Sequence, residues 1–513
     1  MKDIKNIYKN TLVTLLSQII RILLGFILQR VFINTLGVKY LGYNSVYSNI
    51  LQMLNLADLG VGVAVTSFLY KPLAENNKTK IKALMYLYKK IYFIIAFVVL
   101  FAGSLITILI PAIIKDAECS NYYLRVYFII NLVAVVSTYF FSYKRTLLIA
   151  EEKSYFTNYV DMILNIICSV VQIIALYIFS HFVIYLVINV IKNIISNLII
   201  SRECDKKHIF LKGNIAQDEV EKYKRAIGIY VKDLFISRIG AYIYYGTDNI
   251  IISIFKGSLL AGYLSNYTLV TTSIQSIVTQ LFSALQATFG KLIVKENSLE
   301  KQKEIVDEYF FINYNVSNIC ALCSCFLIQP FIMLYIGKKY ILNDSTIFFL
   351  SINLGLTLLL IIPSQVFIVY NLYKYDKQII ALSAFMNIVI SSILVEKIGI
   401  DGALIGTLIT SLIYLFGRLF IISRKIFDIP YRYYIKKIIL WIINSSTGFA
   451  GCYFVYRLID ITSWTKWIIS ALIYPVLVVF ISIFIMHRSK EYIIFQKIIL
   501  QNLVKIRGNK RFK

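Results

Sequence analysis

Four charged residues, Arg21, Asp58, Arg238 and Asp248, lie inside stretches otherwise apolar enough to sit in lipid. A charge at the centre of a membrane helix costs roughly 2.5–3.5 kcal/mol on insertion scales, so such residues face a bundle interior or water. Their neighbours support that reading. At 100° per residue, Thr11, Thr14, Gln18, Arg21, Gly25 and Gln29 fall on one arc of the first stretch. Asn44, Ser48, Asn55, Asp58, Gly62 and Thr66 do the same on the second. Further on, Arg238, Tyr242, Tyr245 and Asn249 share a face, with Asp248 at its margin. The longest polar stripe follows: Ser265, Thr268, Thr272, Gln275, Thr279, Ser283 and Gln286. Continuous stripes on adjacent helices predict the wall of a hydrated cavity. Two lesser sets, Asn158, Asp161, Asn165, Ser169 and Gln172, then Asn189, Lys192, Asn193 and Asn197, are explained equally well by hydrogen bonds between helices. Asp161 and Lys192 are therefore second-rank site residues.

The elements that must carry these residues are membrane helices. The chain has 513 residues, 58% of them hydrophobic and 16% charged, with a mean hydropathy of +0.72. About 14 apolar runs are each long enough to cross the hydrocarbon, and no break between them holds a folded soluble domain. The expectation is an all-α polytopic membrane protein with two pseudo-symmetric six-helix lobes and a C-terminal helix pair. The boundaries expected are 1–201 and 227–425 for the lobes, 202–226 for a cytoplasmic linker, 426–487 for the pair and 488–513 for a basic cytoplasmic tail. Sliding the chain on itself sets Leu41-Gly42-Tyr43 on Ala261-Gly262-Tyr263, each shortly after a glycine, Gly37 or Gly257. Internal repeats of this kind are common in transporters, with the site near the midplane.

The formal net charge is +26. With both termini placed in the cytoplasm, most of the 53 Lys and Arg fall on cytoplasmic segments, as the positive-inside rule requires. Basic residues scattered over short loops exclude a nucleic-acid interface, which needs them on one soluble face. Seven cysteines form no disulfide framework. Cys320, Cys323 and Cys325 have metal-like spacing but sit in an apolar span without His or carboxylate neighbours, so no metal and no cofactor is expected. The N-terminus reads as a retained helix, not a signal peptide. The segments 70–78 and 144–153 read as basic loops, the third and fourth spans as lipid-facing supports, and Pro363 as a mid-span kink. Arg418 is close enough to a helix end to snorkel.

Several strings resemble the bacterial lipid-linked oligosaccharide flippases of the Wzx type. They are Leu36-Gly37 with Tyr40-Leu41-Gly42, the run from Leu56 to Gly62, Leu69 to Ala74, Leu147 to Tyr155, Gly246 to Ser253, and Gly262 to Tyr267. The resemblance implies the fold of the multidrug/oligosaccharidyl-lipid/polysaccharide exporter superfamily. It also implies movement of polyprenyl-pyrophosphate-linked sugar repeats from the inner to the outer leaflet of the cytoplasmic membrane, for cell-surface polysaccharide synthesis. Members place cations in a central cavity, and Arg21 and Arg238 match that role. Guanidinium groups suit phosphate oxygens because they bind them bidentately. Gln18, Asn55, Gln275, Thr279 and Gln286 are then expected to bond sugar hydroxyls, Tyr242 or Tyr245 to stack on sugar rings, and Asn249 to line the cavity with them. Asp58 and Asp248 either pair with the arginines or take up H⁺ or Na⁺ for coupling, and the sequence leaves both open. The implied partners are the lipid-linked oligosaccharide, membrane lipid and a polysaccharide polymerase or export apparatus.

Two other functions compete. A cation-coupled multidrug antiporter of the same fold would want an acidic, aromatic cavity. A membrane glycan polymerase or glycosyltransferase would want catalytic carboxylates on a sizeable outer loop. The outer breaks are too short for that, so the expectation is a carrier and not an enzyme.

Overall fold

The computed structural model describes residues 2–55, 61–211, 218–224, 227, 246–493 and 496. Among them every regular element is helical. The first series comprises α1 (Lys2–Leu36), α2 (Val38–Leu54), α3 (Val61–Ala74), α4 (Lys78–Ile113), α5 (Asn121–Ala150), α6 (Ser154–Phe179) and α7 (Phe182–Lys207). The second comprises α8 (Asp248–Lys256), α9 (Ser258–Lys295), α10 (Leu299–Ile336), α11 (Asp344–Leu359), α12 (Ile361–Val369), α13 (Tyr373–Ile398) and α14 (Ile400–Ile421). A last pair, α15 (Arg432–Leu458) and α16 (Trp464–Met486), follows. Among the described residues 12 helices are long and apolar enough to cross a membrane, α11 and α12 together making one of them. The chain is a multi-pass membrane protein. The expected spans 41–69 and 229–255 extend over positions 56–60 and 229–245, which lie outside the described residues.

Helix ends explain where the loop expectations failed. Segment 70–78 is helical as far as Ala74, and 144–153 as far as Ala150. Both helices close with the same device. Asn76 and Glu152 adopt positive φ (51° and 60°). The next N–H of each reaches back into the helix, from Asn77 to Pro72 O at 2.9 Å and from Lys153 to Leu148 O at 2.9 Å. This satisfies carbonyls that the last turn leaves without donors. The strings of charge that suggested loops are instead the polar ends of helices. Pro363 behaves as expected: it has no N–H to offer Leu359 O, and the helix is interrupted at Leu360. Asn313 Nδ2 donates to the nearby Leu358 O at 3.0 Å.

Two compact units emerge, positions 1–265 with 388–403 and positions 266–387 with 404–513. The first is built on fully buried Tyr43, Tyr47, Phe128 and Tyr139, while Phe97, Phe101 and Ile108 of α4 are exposed as a lipid-facing surface requires. The second packs Phe310, Leu358, Phe367, Leu419 and Trp441 in one cluster. Cys320, Cys323 and Cys325 are free thiols packed on its apolar clusters. Arg418 corrects its expectation. It does not snorkel but is 4% exposed, and it binds Asp376 through Nε and Nη2, both at 2.9 Å. A buried guanidinium needs such a partner, and Asp376 supplies one from α13.

Within the first unit α2 crosses α9 at two glycines. A Cβ on Gly42 would lie 2.0 Å from Ser258 O, and one on Gly262 would lie 2.3 Å from Val38 O. The Ser45 and Ser265 hydroxyls hydrogen-bond across the same crossing, 220 positions apart in sequence. Val38 and Ser258, and Gly42 and Gly262, share that offset, so the contact is two-fold: each helix meets its own repeat. Gly37 and Gly257, which precede α2 and α9, have φ of 89° and 92°, values open to glycine at no steric cost. Asp116, in the turn after α4, caps α9 from outside the helix. Its carboxylate accepts from the Ser258 N–H and hydroxyl, each at 2.8 Å, and from the Leu259 N–H at 3.2 Å. Burial alone would raise its pKa, but these hydrogen bonds outweigh burial and hold the carboxyl below the usual range.

Candidate functional site: a cationic cavity in the first unit

Thr14, Ser17 and Arg21 stand at i, i+3 and i+7 on α1 and so face one way. Thr138, Ser142 and Arg145 (i, i+4, i+7) share a face of α5, Asn158, Asp161 and Asn165 (i, i+3, i+7) one of α6, and Lys192, Asn193, Ser196 and Asn197 (i, i+1, i+4, i+5) one of α7. Together these faces line a cavity of about 420 Å³. Its wall is polar although each helix is apolar enough to span a membrane.

The charges divide into a fixed pair and two further cations. Arg145 holds Asp161 bidentately, Nη1 to Oδ2 at 2.6 Å and Nη2 to Oδ1 at 3.1 Å. Ser196 Oγ donates to Asp161 Oδ1 at 2.6 Å and accepts from Arg145 Nη2 at 3.2 Å. Fork-to-fork geometry with a third hydrogen bond fixes both side chains. Lys192 Nζ donates to the neutral Asn165 Oδ1 at 3.2 Å. Arg21 is exposed at the cavity. Among the described residues no carboxylate lies within ion-pair distance of Arg21 or Lys192. With Arg145 and Asp161 cancelling, these two set a positive sign. Asn158 Nδ2 donates to Thr14 Oγ1 at 2.8 Å, which ties α6 to α1 beside them. The arrangement offers two cations, hydroxyls and carboxamides to a ligand that is anionic and rich in hydroxyls.

Of the residues singled out from sequence, Arg21, Asp161 and Lys192 meet here. Gln18 is half-buried on α1. Asn55 ends α2 and accepts a hydrogen bond from Tyr139, so its carboxamide oxygen is engaged within the fold. Asp248 stands in the first turn of α8, and the neighbouring Asn249 Oδ1 is buried. Gln275, Thr279 and Gln286 lie on the part of α9 that belongs to the second unit. Asp58, Arg238, Tyr242 and Tyr245 lie outside the described residues. Arg145 was missed, because 144–153 read as a loop and α5 as a support. The signal was present, since Arg145 is in phase with Thr138 and Ser142 once the helix is carried on to Ala150.

No protein-family model matches the chain, and no curated protein sequence matches it. Solved structures do. The fold is similar to that of a lipid II flippase, MurJ, in an inward closed conformation, with a TM-score of 0.72 and 13% identity over 93% of this chain and 98% of that one. It is also similar to a multidrug resistance MATE family transporter of the MOP superfamily in an inward-facing conformation, with a TM-score of 0.60 and 14% identity over 81% and 99%. A mutant of the Vibrio cholerae MATE transporter VcmN gives a TM-score of 0.57 and 15% identity over 82% and 97%. At such identities the likeness is one of fold: the chain has the two-lobed all-helical architecture of these carriers.

Proposed function

We propose that the chain is a flippase that carries polyprenyl-pyrophosphate-linked oligosaccharide repeat units from the inner to the outer leaflet of a bacterial cytoplasmic membrane. The observation that carries this reading is the positive, hydroxyl- and amide-lined cavity on α1, α5, α6 and α7. A sugar head cannot cross lipid unaided: each hydroxyl stripped of water without a partner costs about 4–8 kcal/mol on the cyclohexane scale, and a diphosphate far more. A wall of Ser, Thr and Asn replaces that water, and Arg21 and Lys192 replace the counter-ions of the phosphates. The prenyl tail stays in lipid throughout. Alternating access between two lobes is the matching mechanism, and it involves no covalent step. The fold shared with a lipid II flippase agrees with this reading. The oligosaccharide is handed on to a polymerase or export apparatus, and both termini lie in the cytoplasm.

The fold shared with MATE transporters raises the second reading, a cation-coupled drug antiporter. The Arg145–Asp161 pair weighs against it, because the cavity's one carboxylate is already matched by a guanidinium and two further cations repel a cationic drug. The test is complementation of a deletion strain, with surface glycan as readout. Arg21→Gln with Lys192→Gln should reach the membrane and fail to restore the glycan. Full rescue by the double variant would remove the anion role, and drug resistance conferred by the wild-type chain would favour the antiporter.

A further inference from the structure

The second unit holds a pocket of different chemistry, about 310 Å³, where α10 ends and α11 begins. Phe326, Phe348, Phe449, Tyr453 and Tyr456 line it together with Asp344. We propose that this pocket binds the ammonium head group of a membrane lipid, with the rings as its cage and Asp344 as its counter-ion.

Aromatic faces attract cations electrostatically, and cages of such rings recognise ammonium groups. Tyr453 already shows that attraction, since the Arg457 guanidinium lies 5.8 Å from its ring centre. Asp344 supplies the formal charge. Gln329 Nε2 donates to its Oδ1 at 2.9 Å, and Tyr267 hydroxyl donates to Gln329 Oε1 at 3.3 Å, so a chain of hydrogen bonds orients the carboxylate. Among the described residues no Lys or Arg stands within ion-pair distance of Asp344, and its Oδ2 is left to accept from a ligand. The pocket adjoins an exposed apolar face of a membrane-length helix: Tyr453 is 47% exposed, and next to it on α15 Phe454 is 67% exposed. Asp344 is the first residue of a membrane-crossing helix, and helix ends lie at the level of lipid head groups. An amine bound here with an apolar chain beside α15 is therefore a lipid, and a soluble amine would leave the exposed rings uncovered.

The experiment is native mass spectrometry of the full-length protein in mixed micelles with equimolar phosphatidylethanolamine and phosphatidylglycerol. The expected result is about fivefold greater retention of phosphatidylethanolamine, as a partly exposed cation–π site would give. Asp344→Asn should bring the ratio close to one, Tyr453→Leu should lower it two- to threefold, and Glu300→Gln, an exposed acid at the opposite end of α10, should leave it unchanged. Equal retention of the two lipids by the wild-type protein overturns the proposal, as does an unchanged ratio in Asp344→Asn. If Asp344→Asn fails to fold, an undiminished ratio in Tyr453→Leu overturns it. Displacement of bound lipid by millimolar glucosamine but not by more lipid would assign the pocket to an amino sugar and overturn the lipid source.

Discussion

Arg145 and Asp161 test whether the cavity's charge pair is scaffold or ligand site. Each side chain is about a third exposed, so the pair falls between the surface case and the buried one. Arg145→Ala leaves the partly buried Asp161 with only the Ser196 hydroxyl, among the described residues, as a hydrogen-bond donor and should cost roughly 1–3 kcal/mol of stability. Asp161→Ala should cost a similar amount, and the double variant clearly less than the sum. Thermal denaturation of the four proteins in one detergent checks this, and additive losses would mean that the two side chains do not interact in solution. Lys192 differs, because its contact is with a neutral carboxamide. Lys192→Gln should leave the melting temperature within a degree or two, since substitutions away from packed networks change stability by about 0.5 kcal/mol or less. Binding of a diphosphate-linked lipid to the same variant should weaken several-fold. These residues also show what was readable in advance. The arcs of α1, α6 and α7 are visible as helical spacing, but spacing cannot rank them: Asn158, Asp161 and Asn165 with Lys192, Asn193 and Asn197, from the two lesser sets, line the cavity with Arg21. Which helices adjoin is a long-range fact, and no single arc contains it.

At the scale of elements, the crossing of α2 and α9 makes the internal repeat physical. From sequence the repeat was a faint match of Leu-Gly-Tyr to Ala-Gly-Tyr, because only the glycines are forced by geometry and the other positions need only be apolar or small. The structure supplies the reason for the match, since each glycine lets the other helix's carbonyl approach. Gly42→Ala and Gly262→Ala must push the helices apart, at a cost of about 1–3 kcal/mol each. Because both act at one contact, the double variant should be less than additive. Melting temperatures of the single and double variants decide it. The cap on α9 adds a pH dependence. The Asp116 carboxyl is held below its ordinary value, so its contribution is complete above the unfolded pKa of about 3.9 and is lost as pH falls through the folded one. Wild type should therefore exceed Asp116→Asn in stability by a constant margin above about pH 5, and the margin should close below about pH 4. A margin that stayed open at low pH would mean that the hydrogen bonds do not require the charge. Helix ends were the least legible feature. The clusters Lys144-Arg145 and Glu151-Glu152-Lys153 resemble a loop in composition, and only the positive φ of Glu152 shows where α5 stops.

For the whole molecule the question, if the proposed flippase reading holds, is what would drive transport. The repeated spans were legible because hydrophobic thickness sets their minimum length: about 14 were expected and 12 are present among the described residues, and the two-lobed fold followed from their arrangement and the repeat. The energy source was not legible, because it depends on whether a carboxylate is free to bind an ion. In the described cavity Asp161 is matched by Arg145, and the uncompensated charges are positive. A carrier of that kind needs no co-ion for an anionic load: an interior-negative potential favours outward movement by roughly 2.3 kcal/mol per charge per 100 mV. For a diphosphate carrying about two charges, that is roughly 4–5 kcal/mol at 100 mV, enough for a gradient above a thousandfold. Purified protein in vesicles with a fluorescent lipid-linked diphosphate sugar can be given a potassium diffusion potential in the absence of sodium and of a pH difference. Movement toward the positive side should continue under those conditions and fall to equilibration when the potential is collapsed. Neutralising both Arg21 and Lys192 should abolish it in either case. A strict requirement for sodium or for a proton gradient would place an ion-binding carboxylate in the transport cycle. That carboxylate would be Asp58, Asp248 or Asp161; if Asp161, its pair with Arg145 would have to open during transport, and the double-variant comparison on that pair would register it as a coupling lost when ligand binds.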